Sequence, residues 1–143
     1  MGPITRADLL RFLEAHRTAV QCSVASGGAP QAAVIGVAVT ADLELVFDTL
    51  ESTRKVANLR ADPRIALVLG GGDGEEITVQ YEGLADFPAG EELHRLREVY
   101  YAAFPDGPQR LAWPGLVYVR VKPNWVRYSD YRGEPAVIEE FRF

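Results

Sequence analysis

The sequence is poor in the residues that staple or metallate small proteins. Its 143 residues include one cysteine, Cys22, so no disulfide can form within the chain. With only His16 and His94 beside that thiol, the spacing offers no structural zinc constellation. Positive charge is also scarce: 15 Lys and Arg stand against 20 Asp and Glu, a formal net charge of −5. A general nucleic-acid binder needs a basic footprint against the phosphate backbone, so that class is not expected, while one local basic pocket stays compatible. No apolar run approaches the ~20 residues of a membrane span. Met1 to Asp8 lacks the basic start and apolar stretch of a signal peptide. The chain therefore reads as soluble and cytoplasmic, with no metal, membrane or nucleic-acid partner.

What the chain does have is apolar mass: 48% hydrophobic residues, enough to bury a core in one domain spanning 1–143. Thr5 with Asp8 forms a helix-starting pair, and Leu9, Leu10, Phe12 and Leu13 give a helical apolar face to about His16. Ala19 to Ala25 reads as a strand, and Gly27-Gly28-Ala29-Pro30 as a turn. Gln31 to Thr40 is small and β-branched without polar alternation, the pattern of a strand buried on both faces. Leu43 to Asp48 alternates. Ser52 or Thr53 opens a short helix that Asp62-Pro63 stops. Ile65 to Leu69 and the alternating run from Ile77 to Glu82 are joined by the glycine-rich turn Gly70 to Gly74. Gly83 predicts a bulge or a close backbone approach. The longest helix runs over Glu91 to Ala103, then Val117 to Lys122 alternates, and Trp125 to Tyr128 follows beyond Pro123. High strand content with short connections predicts a mainly β protein, a small six- to seven-stranded antiparallel barrel with flanking helices.

One stretch carries chemistry. Thr49-Leu50-Glu51-Ser52-Thr53-Arg54-Lys55 leaves a strand and opens a helix. Free N–H groups and the positive dipole end of that helix, two hydroxyls and two cations can together hold one phosphate dianion. The plainer reading is that Ser52 or Thr53 caps the helix while Arg54 and Lys55 face water. Elsewhere His94 reads as a solvated surface residue, His16 as a helix-end cap and Cys22 as a small buried strand residue.

The neighbourhood of that stretch points further. Phe47-Asp48-Thr49, Thr53-Arg54-Lys55, Asn58-Leu59 and Asp62-Pro63-Arg64-Ile65-Ala66-Leu67 follow one another in an order and spacing that resemble the pyridoxamine-5′-phosphate-oxidase-like FMN-binding split β-barrel family. Tyr81-Glu82-Gly83-Leu84-Ala85 resembles that family's Glu-Gly-x-Ala strand, and Lys122 to Tyr131 resembles its closing strand. The resemblance implies FMN as cofactor, with Asp48-Thr49 at the aromatic-Thr position and Thr53, Arg54 and Lys55 as the phosphate clamp. It implies that the backbone of Ala33, Val34, Ile35 and Gly36 lines the ring edge, and that Thr78 and Gln80 stand near the position of a flavin-contacting Gln. It also implies a homodimer in which Trp125 or Tyr128 approaches the partner's flavin. Large aromatics on the later strands, Tyr81, Trp113, Tyr118, Trp125 and Tyr128, are candidate interface residues; the alternative is that the long helix covers them within one chain.

The departures from the family pattern bear on activity. The run Ala33 to Ala38 lacks the Arg and Lys that flank the flavin in the oxidase proper, and Tyr131 to Phe143 lacks its C-terminal arginine motif. The expectation is an FMN-dependent oxidoreductase acting on a small redox substrate other than vitamin B6 phosphates. A deazaflavin-dependent reductase and a non-catalytic flavin-binding or flavin-sensing protein are the alternatives.

Overall fold

The computed structural model describes residues 2–143. Helix α1 (Arg6–Ala15) begins where expected, on a reciprocal capping box: the Thr5 hydroxyl accepts from the Asp8 N–H and the Asp8 carboxylate accepts from the Thr5 N–H. Its apolar face, Leu9, Phe12 and Leu13, plugs the core. Strands β1 (Thr18–Val24), β2 (Pro30–Gly36), β3 (Ala38–Val39) and β4 (Leu45–Leu50) follow, then helix α2 (Arg54–Ala61). Next come β5 (Arg64–Gly70), β6 (Ile77–Asp86), helix α3 (Gly90–Ala103), β7 (Leu116–Asp130) and β8 (Val137–Arg142).

All eight strands form one antiparallel sheet in the order β2-β1-β5-β6-β7-β4-β3, with β8 also paired to β7. The sheet curls into a half-barrel. Its inner face carries the main core, centred on Phe47, Leu67, Tyr81, Val119 and Val126. A second cluster lies on the opposite side of β4 and β7, where Leu96 and Tyr100 of α3 cover Val46 and Tyr118. Tyr81 and Tyr118 are therefore core residues, as is Tyr128, which is 8% exposed. Of the aromatics offered as interface candidates, Trp113 is the one with half its surface free, at 53%. The long helix does cover Tyr118, as the within-chain alternative had it.

Two expectations need correction. Gln31 to Thr40 is not one strand buried on both faces. It divides into β2 and β3 at Val37, and β2 is an edge strand of the sheet with Val34 69% exposed. Unbroken small and β-branched composition marks a face that water does not select against, and burial within one chain is only one way to produce it. Lys122 to Tyr128 is not interrupted at Pro123 either: β7 runs through it without a break. Proline lacks an N–H, so a paired strand tolerates it only at an irregularity, and here the β6–β7 register shifts at Glu82/Gly83, directly opposite Pro123.

That shift also explains Gly83. A Cβ at this position would stand 2.1 Å from the Lys122 carbonyl oxygen, so the two backbones approach more closely than any side chain permits. Gly83→Ala is expected to lower the unfolding free energy by about 2–3 kcal/mol, measured by urea denaturation. A change below about 0.5 kcal/mol would mean that the bulge relaxes freely.

Candidate functional site

Arg54 and Lys55 open α2 at the strand-to-helix junction, Arg54 exposed and Lys55 half-buried. Thr53 is the N-cap residue of α2, yet its hydroxyl donates back to the Leu50 carbonyl at 2.9 Å and accepts nothing from the helix. The first N–H groups of α2 thus keep their capacity for an external acceptor. Arg54 and Lys55 line a cavity of about 100 Å3 with Gln21 and Ser23 of β1 and Gln31, Ala32 and Ala33 of β2. That volume suits a phosphate or a sugar hydroxyl rather than a whole dinucleotide-sized ligand.

The two junction cations lie outside the ion pairs that tie up most of the arginines, as do Arg6, Arg17, Arg97 and Lys122. Arginines elsewhere are mostly tied to carboxylates: Arg60 to Glu51, Arg64 to Asp62, Arg120 to Asp86 and Glu92, Arg127 to Glu140. Arg54 and Lys55 have no carboxylate within ion-pair distance among the described residues. Burial, with no opposing acid, pulls the Lys55 ammonium below the usual lysine range. Beside them Asn58, 8% exposed, donates to Ser23 Oγ at 3.1 Å and to Gln31 Oε1 at 2.9 Å, binding α2 to β1 and β2. Gln21 is 1% exposed, and its side-chain oxygen has no hydrogen-bond partner. Gln21, Ser23 and Gln31 were not singled out from the sequence. Their signal was two polar residues at alternate positions of β1 and one near the start of β2, which sequence alone does not separate from a solvated face.

The other candidate residues fall into three groups. Ala33 joins the cation cavity, while Ile35 is buried in the main core and Gly36 lies under the Phe104 ring, which a Cβ would meet at 3.1 Å. At Ile35 and Gly36 only backbone is offered, on the edge strand. Thr49 sits at the end of β4, half-buried. Asp48, its neighbour, points the opposite way: it accepts from Tyr100 Oη at 2.9 Å and from Arg110 Nε at 2.7 Å, under α3. Burial, then the Asp48 charge, pushes the Tyr100 phenol up to about 12. The Asp48 side chain is thus spent on holding α3 and the following 310 turn against β4.

Val34, Thr78, Gln80 and Trp125 share the outer face of the sheet. The register places Val34 beside Val20, Val20 beside Val68, Val68 beside Gln80 and Gln80 beside Arg127. Three valines of that row, Val20, Val34 and Val68, are exposed. Trp125 donates to Glu140 at 3.1 Å on the same face. Tyr128 faces inward instead, edge-on to Phe12 at 5.5 Å. One chain therefore brings Ala33, Arg54 and Lys55 together and leaves Val34, Thr78, Gln80 and Trp125 on a separate surface.

A family profile described as pyridoxamine 5′-phosphate oxidase matches residues 6–130. The chain belongs to that family. Among solved structures, this family member resembles a heme-binding protein of Mycobacterium smegmatis at TM-score 0.82 and 17% identity, over 99% of this chain and 60% of that one. The chain thus spans three fifths of that neighbour's length. A conserved hypothetical protein of Mycobacterium tuberculosis matches at TM-score 0.75 and 26% identity, over 90% and 86% of the two chains. The heme storage protein HutZ of Vibrio cholerae matches at TM-score 0.73 and 11% identity, over 85% and 91%. A search of curated proteins by sequence returned no match. At such identities the first and third neighbours bear on the fold of this oxidase-family chain alone.

The network on Asp48 makes a direct prediction. Its side chain and that of Arg110 are 12% and 18% exposed, so removing one partner leaves a poorly hydrated charge. Arg110→Met should cost about 2–3 kcal/mol in urea denaturation, and adding Asp48→Asn should recover about half of that. Additive losses would show that the pair is not coupled.

Proposed function

We propose that the protein binds FMN, with Arg54 and Lys55 on its phosphate, and acts as a flavin-dependent oxidoreductase. The observation that carries the reading is the pair of cations without carboxylate partners at the start of α2, in an acidic chain, beside a buried Gln21 oxygen that lacks a donor. A phosphate monoester satisfies the cations and the free N–H groups of α2. A ribityl hydroxyl satisfies Gln21. Thr49, Ala33 and the unpaired edge of β2 lie alongside for the rest of the ligand. Bound FMN would supply the redox chemistry, while the chain's own residues bind, orient and shield it.

Heme is the rival ligand named by the structural neighbours. The donor set favours the flavin. No His, Cys, Met or Tyr lines the cation cavity. His16 has its Nδ1 on the Phe12 carbonyl at 2.7 Å and its Nε2 on Glu75 at 2.8 Å, which leaves neither nitrogen for iron. His94 is exposed on α3. Vitamin B6 phosphates are not the substrate in this reading, because Ala33 to Gly36 brings no cation to the cleft and β8 carries Glu139 and Glu140 where an arginine motif would be needed.

The cavity is smaller than FMN, so the ring must lie over exposed surface and requires a second wall to exclude water. The row Val34, Val20 and Val68 is an apolar strip suited to a second copy of the chain, and Thr78, Gln80 and Trp125 lie on the same face. A homodimer with a flavin at each subunit junction follows.

Charge-assisted phosphate contacts contribute about 1.5–3 kcal/mol each. Replacing Arg54 and Lys55 together with alanine should weaken FMN at least about a hundredfold in a fluorescence titration and hardly change riboflavin; equal losses would refute the phosphate assignment. Light scattering at micromolar concentration should give a dimer that Val34→Lys converts towards monomer. A monomeric wild type that still holds FMN tightly would place the whole site within one chain.

A further inference from the structure

A second cleft, of about 550 Å3, opens between α1 with the segment preceding it and strands β6 and β7. It shares no lining residue with the cation cavity and lies within the size range of small-molecule sites. Ile4, Phe12 and Ile77 give it an apolar floor, half-buried or buried. Tyr128 also lines it. That residue is 8% exposed, yet its hydroxyl has no hydrogen-bond partner among the described residues. The hydroxyl is not a buried orphan: it opens onto the cleft, where it is free to donate to a ligand. Burial first, and then the field of Asp130, raises its pKa, with Arg132 opposing and Asp8 and Glu75 adding to the rise. The hydroxyl is therefore a donor at neutral pH.

The charges around the cleft are already consumed in pairs. Asp8 accepts from Arg11 with one oxygen and from Thr5 with the other. Both Glu75 oxygens meet His16 Nε2, at 2.8 and 3.0 Å. Asp130, 3% exposed, accepts from Arg132 Nε at 2.9 Å and Nη2 at 2.8 Å. Three carboxylates and two guanidiniums line the cleft beside His16, and each acid already accepts from a neighbour, so an added anion meets no net positive charge. The unspent hydrogen-bonding capacity is donor only, above an apolar floor.

We infer that this cleft binds an uncharged molecule with an apolar body and one hydrogen-bond acceptor, of the ketone or amide class. Its oxygen accepts from the Tyr128 hydroxyl, and its body lies on Ile4, Phe12 and Ile77. This site is independent of the flavin reading.

Four probes of similar size test it on the full chain by NMR titration: acetophenone, ethylbenzene, benzoate and benzylamine. A neutral hydrogen bond should make acetophenone bind between about twofold and tenfold tighter than ethylbenzene. Tyr128→Phe should abolish that ratio while leaving ethylbenzene affinity unchanged, which also reports that the variant is folded. In the wild type, acetophenone should shift the amide signals of Phe12 and Ile77, a readout that needs no variant. The inference is overturned if the ratio survives in Tyr128→Phe, if benzoate or benzylamine binds more tightly than acetophenone, or if millimolar acetophenone leaves the Phe12 and Ile77 signals unmoved.

Discussion

One strand holds the two halves of this barrel together. β7 pairs with β6 along nearly its whole length, with β4 through its first part and with β8 through its last. To do so it must bend, and the bend sits where Gly83 lets the Lys122 carbonyl come in and where Pro123 needs no partner for a missing N–H. The register of β4 on β7 then fixes where Thr49 and Leu50 end, and hence where α2 begins and which way Arg54 and Lys55 point. Asn58 completes the arrangement from the other side by anchoring α2 to Ser23 and Gln31. The position of two surface-proximal cations is thus determined by backbone pairing tens of residues away in sequence.

The core and the site were unevenly legible in the sequence. Local signals read well: the Thr5–Asp8 box starts α1, Gly83 marks the bulge, and Thr53-Arg54-Lys55 opens α2 after an alternating strand. These depend on neighbours within a few residues, where spacing and chemistry suffice. Non-local facts did not read. Nothing in Gln31 to Thr40 distinguishes an edge strand from an interior one, because its small and β-branched composition suits either place. Asp48 stands beside Thr49, yet strand alternation turns it to the opposite face, where a distant Arg110 claims it. Strand β8 was missed because Glu139 and Glu140 interrupt its apolar pattern; its pairing with β7 and ion pairs such as Arg127 to Glu140 compensate. Tyr128 and Trp125 lie three apart on one strand and so cannot serve the same surface.

Charge distribution gives the fold its functional asymmetry. In a chain with excess acid, cations are readily neutralised, and most arginines are: the Arg120 cluster with Asp86, Glu92 and Glu44 lies at the α3 face, and Arg60 and Arg64 are paired at the far end of α2 and the start of β5. Lys55, half-buried without an opposing acid, is pulled below the usual lysine range by desolvation, while Arg54 stays exposed. In the proposed reading the ligand's phosphate supplies the charge that Lys55 lacks. The second cleft differs: its acids and guanidiniums face one another, and the Tyr128 hydroxyl stands beside them without a partner among the described residues.

The central claim is that the cations at the start of α2 hold the phosphate of a flavin. Native mass spectrometry of the protein incubated with equal amounts of FMN, riboflavin and heme tests it most directly. The account predicts one FMN retained per chain, in dimers, with riboflavin lost. Retention of heme in preference to FMN, or equal retention of riboflavin and FMN, would contradict it.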